Sequence, residues 1–324
     1  MRPNVWFVSQ RQHFLNSRLQ GFGATIFAEM SALAERTQSV NLGQGFPDTD
    51  GPAEVAEAAI AAIRDGRGNQ YPPGLGIPEL REAIAEHQSR FYGLNFNPDT
   101  EILVTAGASE ALAASVLALC ETGDEVVTFE PWYDIYGANI AMAGAVKKVV
   151  TLRPPNYGFD EQEFLAAITP KTRMILLNTP HNPTGKVFVR EELEFIAHVA
   201  VEHDLIVVTD EVYEHLVFDG EHIAMASLPG MRERTITISS GGKTFSFTGW
   251  KIGWAVAPPE LLTAVRTAKQ FLTYVSGGPF QYAIAVGLRL CDSYFHELAN
   301  DMRKKRDFLS EGLKAAGLEV FDSQ

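Results

Sequence analysis

Apolar side chains recur at three- and four-residue spacing in one set of stretches and gather into short β-branched runs in another, and the two kinds alternate along most of the chain. The short runs predict strands at Glu101–Thr105, Glu125–Phe129, Val146–Val150, Arg173–Asn178, Leu205–Thr209, Thr235–Ser239 and Ile252–Ala257. Between them the periodic stretches predict helices at Ala53–Arg64, Ile77–Tyr92, Ser109–Leu119, Asp160–Ala167, Arg190–Glu202 and Pro259–Val275. Such alternation predicts an α/β fold, a mostly parallel seven-stranded sheet with helices on both faces. From about Gln281 a long amphipathic helix is expected to end near Gly317, and Leu318-Glu319-Val320-Phe321 looks like the opening of a strand. A strand with no partner leaves its backbone groups unpaired, so a longer parent chain is expected.

Composition narrows the function. The 324 residues are 46% hydrophobic and 21% charged, a globular balance with room for a large domain and a smaller one. Acidic side chains outnumber basic ones, 40 to 27, and the net charge of -13 repels phosphate backbones and anionic lipid. Small-molecule chemistry is therefore expected, without nucleic acid or membrane. Cys120 and Cys291 have no CxxC spacing, which argues against a metal cluster or a disulfide framework. The first residues lack a signal-peptide core and no window reaches the length of a membrane span, so a cytoplasmic location is expected.

In an open α/β sheet, ligands bind beyond the carboxyl ends of the strands. After the first strand, Gly107-Ala108-Ser109-Glu110-Ala111 opens a helix whose free N–H groups suit a phosphate; a plain serine-capped start and a nucleophile elbow are the alternatives. After the second, Glu130-Pro131-Trp132-Tyr133-Asp134-Ile135-Tyr136 offers rings that belong either to the core or, at Trp132, against a planar ligand. Asn178-Thr179-Pro180-His181-Asn182-Pro183-Thr184-Gly185 is a rigid turn able to aim Asn178 and Asn182, with His181 a solvated or basic histidine. Asp210 ends an apolar strand and needs a cationic partner, either an arginine or a protonated ring nitrogen, with Tyr213 three residues on. The Asp210/Glu211 pair also suggests paired acids or a metal site, but adjacent residues at a strand end point apart. Ser240-Gly241-Gly242-Lys243 sets a hydroxyl three residues before a lysine that is either a surface cation or an amine able to condense with an aldehyde.

Taken in order, these motifs resemble pyridoxal-phosphate aminotransferases of fold type I, class I/II, from about Ala24 to Gly317. Asn41-Leu42-Gly43-Gln44-Gly45-Phe46-Pro47-Asp48, Asn69-Gln70-Tyr71-Pro72-Pro73-Gly74 and Thr248-Gly249-Trp250-Lys251-Ile252-Gly253-Trp254 look like the kynurenine/glutamine branch and the actinobacterial N-succinyldiaminopimelate enzymes. Phe27-Ala28-Glu29-Met30-Ser31-Ala32-Leu33 is similar to the second group. The resemblance implies pyridoxal 5'-phosphate held covalently by Lys243, which also shuttles the substrate proton. It implies Asp210 on the pyridine nitrogen, Tyr213 and Asn182 on the ring oxygen, and Trp132 on the ring face. It further implies that Ala108, Ser109, Ser240 and Lys251 hold the phosphate, with Tyr71 reaching it from a partner chain in a homodimer. Gly45, Asn178 and Trp132 meet the amino acid and 2-oxo acid substrates, and no metal is implied.

The resemblance also implies domains: an extra segment 1–16, an arm and part of a small domain over 17–51, a large cofactor-binding domain over 52–280, and the start of an incomplete small domain over 281–324. Relatives continue past Gln324 and supply there an arginine for the substrate carboxylate, so weak turnover and uncovered apolar surface are expected of this chain. Lysine stands at position 251 where many relatives have arginine, a point charge in place of a fork. A β-elimination side activity on cysteine conjugates fits the same chemistry. Two readings of another class are a serine hydrolase using Ser109, with His215, His222 or His296 following Asp210 in the chain, and a non-catalytic cofactor-binding regulator.

Overall fold

The computed structural model describes residues 14–43, 45 and 49–324. Most of the extra segment 1–16 and part of the motif at 41–48 therefore lie outside the described residues. By its internal contacts the chain divides into Met1–Gln44 and Gly45–Gln324. In the first unit, helix α1 (Ile26–Thr37) starts where the Thr25 hydroxyl accepts the Ala28 N–H at 3.2 Å, and stops at Gln38 in the left-handed region.

In the second unit, α2 (Ala53–Arg64) and α3 (Pro78–Tyr92) precede the sheet. Then follow β1 (Ile102–Ala106), α4 (Gly107–Leu119), β2 (Glu125–Glu130), α5 (Ile135–Ala143), β3 (Val146–Thr151), α6 (Glu161–Ala167), β4 (Thr172–Asn178), α7 (Arg190–Glu202) and β5 (Ile206–Asp210). The chain continues through β6 (Thr235–Ser240), the single turn α8 (Gly241–Thr244), β7 (Ile252–Val256), α9 (Pro259–Gln270), α10 (Gly278–Leu288) and α11 (Asp292–Ala315). The strands join as one seven-stranded sheet in the order β1-β7-β6-β5-β4-β2-β3, all parallel except β7. Leu103, Leu176, Val208 and Ile238 pack under α4, α5 and α9. On the other face, Ile102, Val104 and Trp254 join α2, α3 and α10, while Val127, Ile175 and Val207 join α6 and α7. Cover on both faces explains why the central strands are continuous apolar runs.

The reversed strand positions the site. Because β7 runs against its neighbours, Ile252 pairs with Ala106, and the residue that enters β7, Lys251, lies at the edge where β1 and β6 end. The backbones converge there. A Cβ on Gly253 would stand 2.4 Å from the Gly107 carbonyl carbon and 2.5 Å from the Ala108 nitrogen.

Four expectations need correction. Helix α4 begins at Gly107, so Ser109 sits inside its first turn and is no cap; the Ala106 N–H instead donates to Glu110 Oε2 at 2.7 Å. Helix α9 ends at Gln270, five residues early, because the buried Lys269 ammonium donates to the Tyr274 carbonyl at 2.6 Å and Tyr274 turns left-handed. The long final helix is two: α10 and α11 are separated by a turn in which Arg90 donates to the Leu290 carbonyl and to Asp292. Leu318–Phe321 forms no strand, and beyond it Gln324 bonds the loop after β4, donating to the Gly185 carbonyl and accepting from the Val187 N–H. Helix α5 was not anticipated at all.

Gly253→Ala should therefore push the first turn of α4 off the sheet and cost about 1–3 kcal/mol in urea unfolding, with weaker cofactor binding. Gly312→Ala, inside exposed α11, should stabilise by roughly 0.5–1 kcal/mol. Equal effects of the two would contradict the close approach.

Candidate active site

Strands β2, β4, β5, β6 and β7, together with α4, deliver side chains to one edge. Asp210 closes β5, and its position there is fixed by pairing to Asn178 at the end of β4. Its side chain is buried, Oδ2 accepts the Tyr136 hydroxyl at 2.7 Å, and Oδ1 has no hydrogen-bond partner. Burial pushes the Asp210 carboxyl up to about 6 and Glu211 adds to the rise, although the Tyr136 hydroxyl, the Val212 N–H and, more weakly, the Lys243 ammonium pull it down. A buried carboxylate with one idle oxygen is a seat for a cation.

Lys243 stands on α8, directly after β6, and its Nζ donates to the Gly45 carbonyl at 2.8 Å. Its ammonium lies 5.6 Å from the centre of the Tyr213 ring. Burial lowers the Lys243 pKa and Lys251 adds to the effect, while Asp210 opposes both. The result is an amine that more readily sheds its proton and becomes nucleophilic. Asn182 Nδ2 faces the Tyr213 oxygen at 3.5 Å. Asn178 is buried behind it, its Nδ2 donating to the Asp210 carbonyl at 2.8 Å and its Oδ1 accepting the Asn182 N–H at 2.6 Å. Asn178 thereby ties the tips of β4 and β5 to the turn that carries Asn182.

The other end of the site is cationic. No side chain caps α4, so its first-turn N–H groups, those of Ala108 and Ser109 among them, lack helical acceptors. Lys251 comes so close that a Cβ on Gly107, which has φ of 73°, would lie 3.2 Å from its Nζ. Ser240 precedes α8 and its hydroxyl is not used to cap that turn. Trp132 follows β2, with the Lys147 ammonium 3.3 Å from the centre of its ring. Tyr71 is 81% exposed and meets the edge of Tyr274, its ring centre 5.6 Å away.

A pyridoxal phosphate fits this arrangement: the idle Asp210 oxygen suits a protonated ring nitrogen, the α4 terminus with Lys251 suits a phosphate, and Lys243 suits an aldehyde. Tyr136 escaped sequence reasoning, which saw its ring in the 130–136 motif without the helix that turns it toward Asp210. Among the described residues, the histidines of the hydrolase reading are engaged away from Ser109: His215 bonds His87, and His222 bonds Glu211. Exposed His296 on α11 forms no such pair with Ser109 among the described residues.

The sign of the Asp210 shift yields a test on cofactor-free protein. A carboxyl raised from 3.8 to about 6 costs stability when charged, so the penalty is full above pH 6, shrinks as pH falls through that window, and is gone below 3.8. Asp210→Asn should stabilise the cofactor-free chain by on the order of 1–3 kcal/mol at pH 8 and by nothing near pH 3.5, read by urea unfolding. A difference independent of pH would count against the uncompensated charge.

A model of the family "Aminotransferase class I and II" matches residues 37–324. The chain is 53% identical over 310 residues to "Probable N-succinyldiaminopimelate aminotransferase DapC" of Mycobacterium tuberculosis, covering 95% of this chain and 78% of that protein. It is 42% identical over 305 residues to "Methionine aminotransferase" of Escherichia coli, covering 94% and 79%. The solved structure of N-succinyldiaminopimelate aminotransferase from Mycobacterium tuberculosis superposes with a TM-score of 0.93 at 52% identity, covering 95% of this chain and 81% of that one. Among the described residues, no helix is long and apolar enough to cross a membrane.

Proposed function

The chain belongs to the class I and II aminotransferases, pyridoxal-phosphate enzymes of fold type I, and on that footing we propose that its amino donor is N-succinyl-LL-2,6-diaminopimelate and its acceptor 2-oxoglutarate. The observation that carries the substrate is the 53% identity, over 95% of the chain, to a protein that bears that name. The relative at 42% identity supplies the rival, a methionine-type donor.

When bound, the cofactor supplies an electron-poor ring that spreads the negative charge left when the substrate carbon loses its proton. The work of the chain's own residues follows from their positions. Lys243 Nζ would hold the aldehyde and, once freed by the incoming amine, would carry the proton between the substrate α-carbon and the cofactor's aldehyde carbon. Asp210 keeps a proton on the ring nitrogen, using the oxygen that Tyr136 leaves free. Tyr213 and Asn182 address the ring oxygen, and Trp132 lies against the ring. Ala108 and Ser109 through their N–H groups, Ser240 through its hydroxyl and Lys251 through its charge hold the phosphate. Asn178 keeps one amide N–H for the substrate carboxylate, and Gly45 receives the substrate beside Lys243. Exposed Tyr71 serves the phosphate of a second protomer in a homodimer. The free thiols Cys120 and Cys291 support a cytoplasmic enzyme.

Lys243→Ala should abolish the covalent pyridoxyl group that borohydride fixes in wild type, mapped by mass spectrometry, and lower amino transfer on the order of 10⁴-fold. In wild type, kcat/KM for the succinylated diamino acid should exceed that for methionine or kynurenine at least tenfold. A preference for methionine would overturn the substrate assignment and leave the family untouched.

A further inference from the structure

The residue after Tyr213 belongs to a different environment. Between the two apolar clusters on the α3 and α7 side of the sheet runs a buried polar strip made by Thr209, Thr237, Ser239, Glu211 and Glu214. Glu211 is matched there: its Oε2 lies 2.8 Å from His222 Nε2, and although burial opposes a charge on that ring, Glu211 and, more weakly, Glu214 raise the His222 pKa. Glu214 has no such match. Its two oxygens accept the Tyr92 hydroxyl at 2.5 Å and the Ser239 hydroxyl at 2.6 Å, and among the described residues it forms no ion pair.

Beside Glu214 stand two imidazoles whose Nε2 atoms, from His87 on α3 and His215, face each other at 2.7 Å. Both rings pack against Phe91 and Phe295. His87 is 1% exposed and its Nδ1 has no partner, whereas His215 is half-buried. One ligand atom from each of His87, Glu214 and His215 lies within 4.8 Å of the other two.

We propose that His87, Glu214 and His215 form a binding site for a divalent transition-metal ion, zinc by its donor set. Two imidazoles and a carboxylate are a familiar zinc combination, and the double charge offsets a buried carboxylate that forms no ion pair among the described residues. Binding moves the proton held between the two Nε2 atoms to Nδ1 of the ring that carried it, so that both rings stay neutral and both Nε2 lone pairs face the ion. Tetrahedral bonds of about 2.0–2.1 Å hold ligand atoms roughly 3.3 Å apart, so the histidine nitrogens, 2.7 Å apart, need to part by about 0.6 Å, and ligand atoms as far apart as 4.8 Å need to close by up to about 1.5 Å. Tyr92 and Ser239 then orient the carboxylate from behind, and each of its oxygens retains a lone pair for the metal. The half-buried His215 side admits the ion and a water as fourth ligand. The ion would brace α3 to the loop that carries Tyr213.

The test uses holoenzyme freed of excess cofactor, stripped with a chelator, loaded with zinc or cobalt(II) and desalted. Wild type and the exposed-histidine control His198→Asn should retain one ion per chain by elemental analysis, and His215→Asn less than a tenth of that. X-ray absorption on zinc-loaded wild type should show two imidazoles and one carboxylate, and it decides the question alone if His215→Asn fails to fold. Retention of no ion by wild type, equal retention by His215→Asn, or a zinc shell without two imidazoles would overturn the site and leave a proton-sharing histidine pair in its place.

Discussion

The structure is organised around a charge that the chain does not neutralise. Asp210 is fixed at the tip of a buried strand, bonded through one oxygen to Tyr136, with no cation paired to it among the described residues. Apolar strands on both sides prevent water from solvating it, so the carboxyl is held near pH 6 until a cation arrives. On the proposed role of Asp210, binding a protonated ring nitrogen would turn that unfavourable charge into affinity. The same contact would make the ring an acceptor of electrons, so stability lost in the cofactor-free chain would become catalytic power in the loaded one.

The rest of the site is spaced from that point by the sheet. β5 sets Asp210, β6 delivers Lys243 through a single helical turn, and β1 delivers the α4 terminus. Between β1 and β6 lies the reversed strand β7, which brings Lys251 to the common edge. Had β7 run parallel, Lys251 would lie at the opposite edge and the phosphate end would lack its cation. Gly107 and Gly253 make the convergence possible, since a side-chain carbon at either would occupy space taken by Lys251 or by the α4 backbone.

Much of this was legible in the sequence because the strand-end motifs are local. Asp210, Lys243, Asn182 and Ser240 each follow an apolar run that announces its own strand. Tyr136 was less visible, since α5 is apolar on every side and shows none of the periodicity that marks an amphipathic helix. The turn at 289–291 was hidden for a different reason: it is held by Arg90, some 200 positions earlier in the chain. His87 and His215, 128 residues apart, meet only once α3 has packed, so no spacing rule gathers them. Local rules find the residues that ride on strand ends; long-range contacts place the ones that tune them.

The central claim is that Asp210 waits for a proton-bearing ring nitrogen. Nitrogen-15 magnetic resonance of the bound cofactor, labelled at that nitrogen, reads its protonation directly. The ring nitrogen should remain protonated at pH 8 in wild type and lose the proton in Asp210→Asn. A deprotonated nitrogen in wild type, with Asp210 intact, would contradict the account.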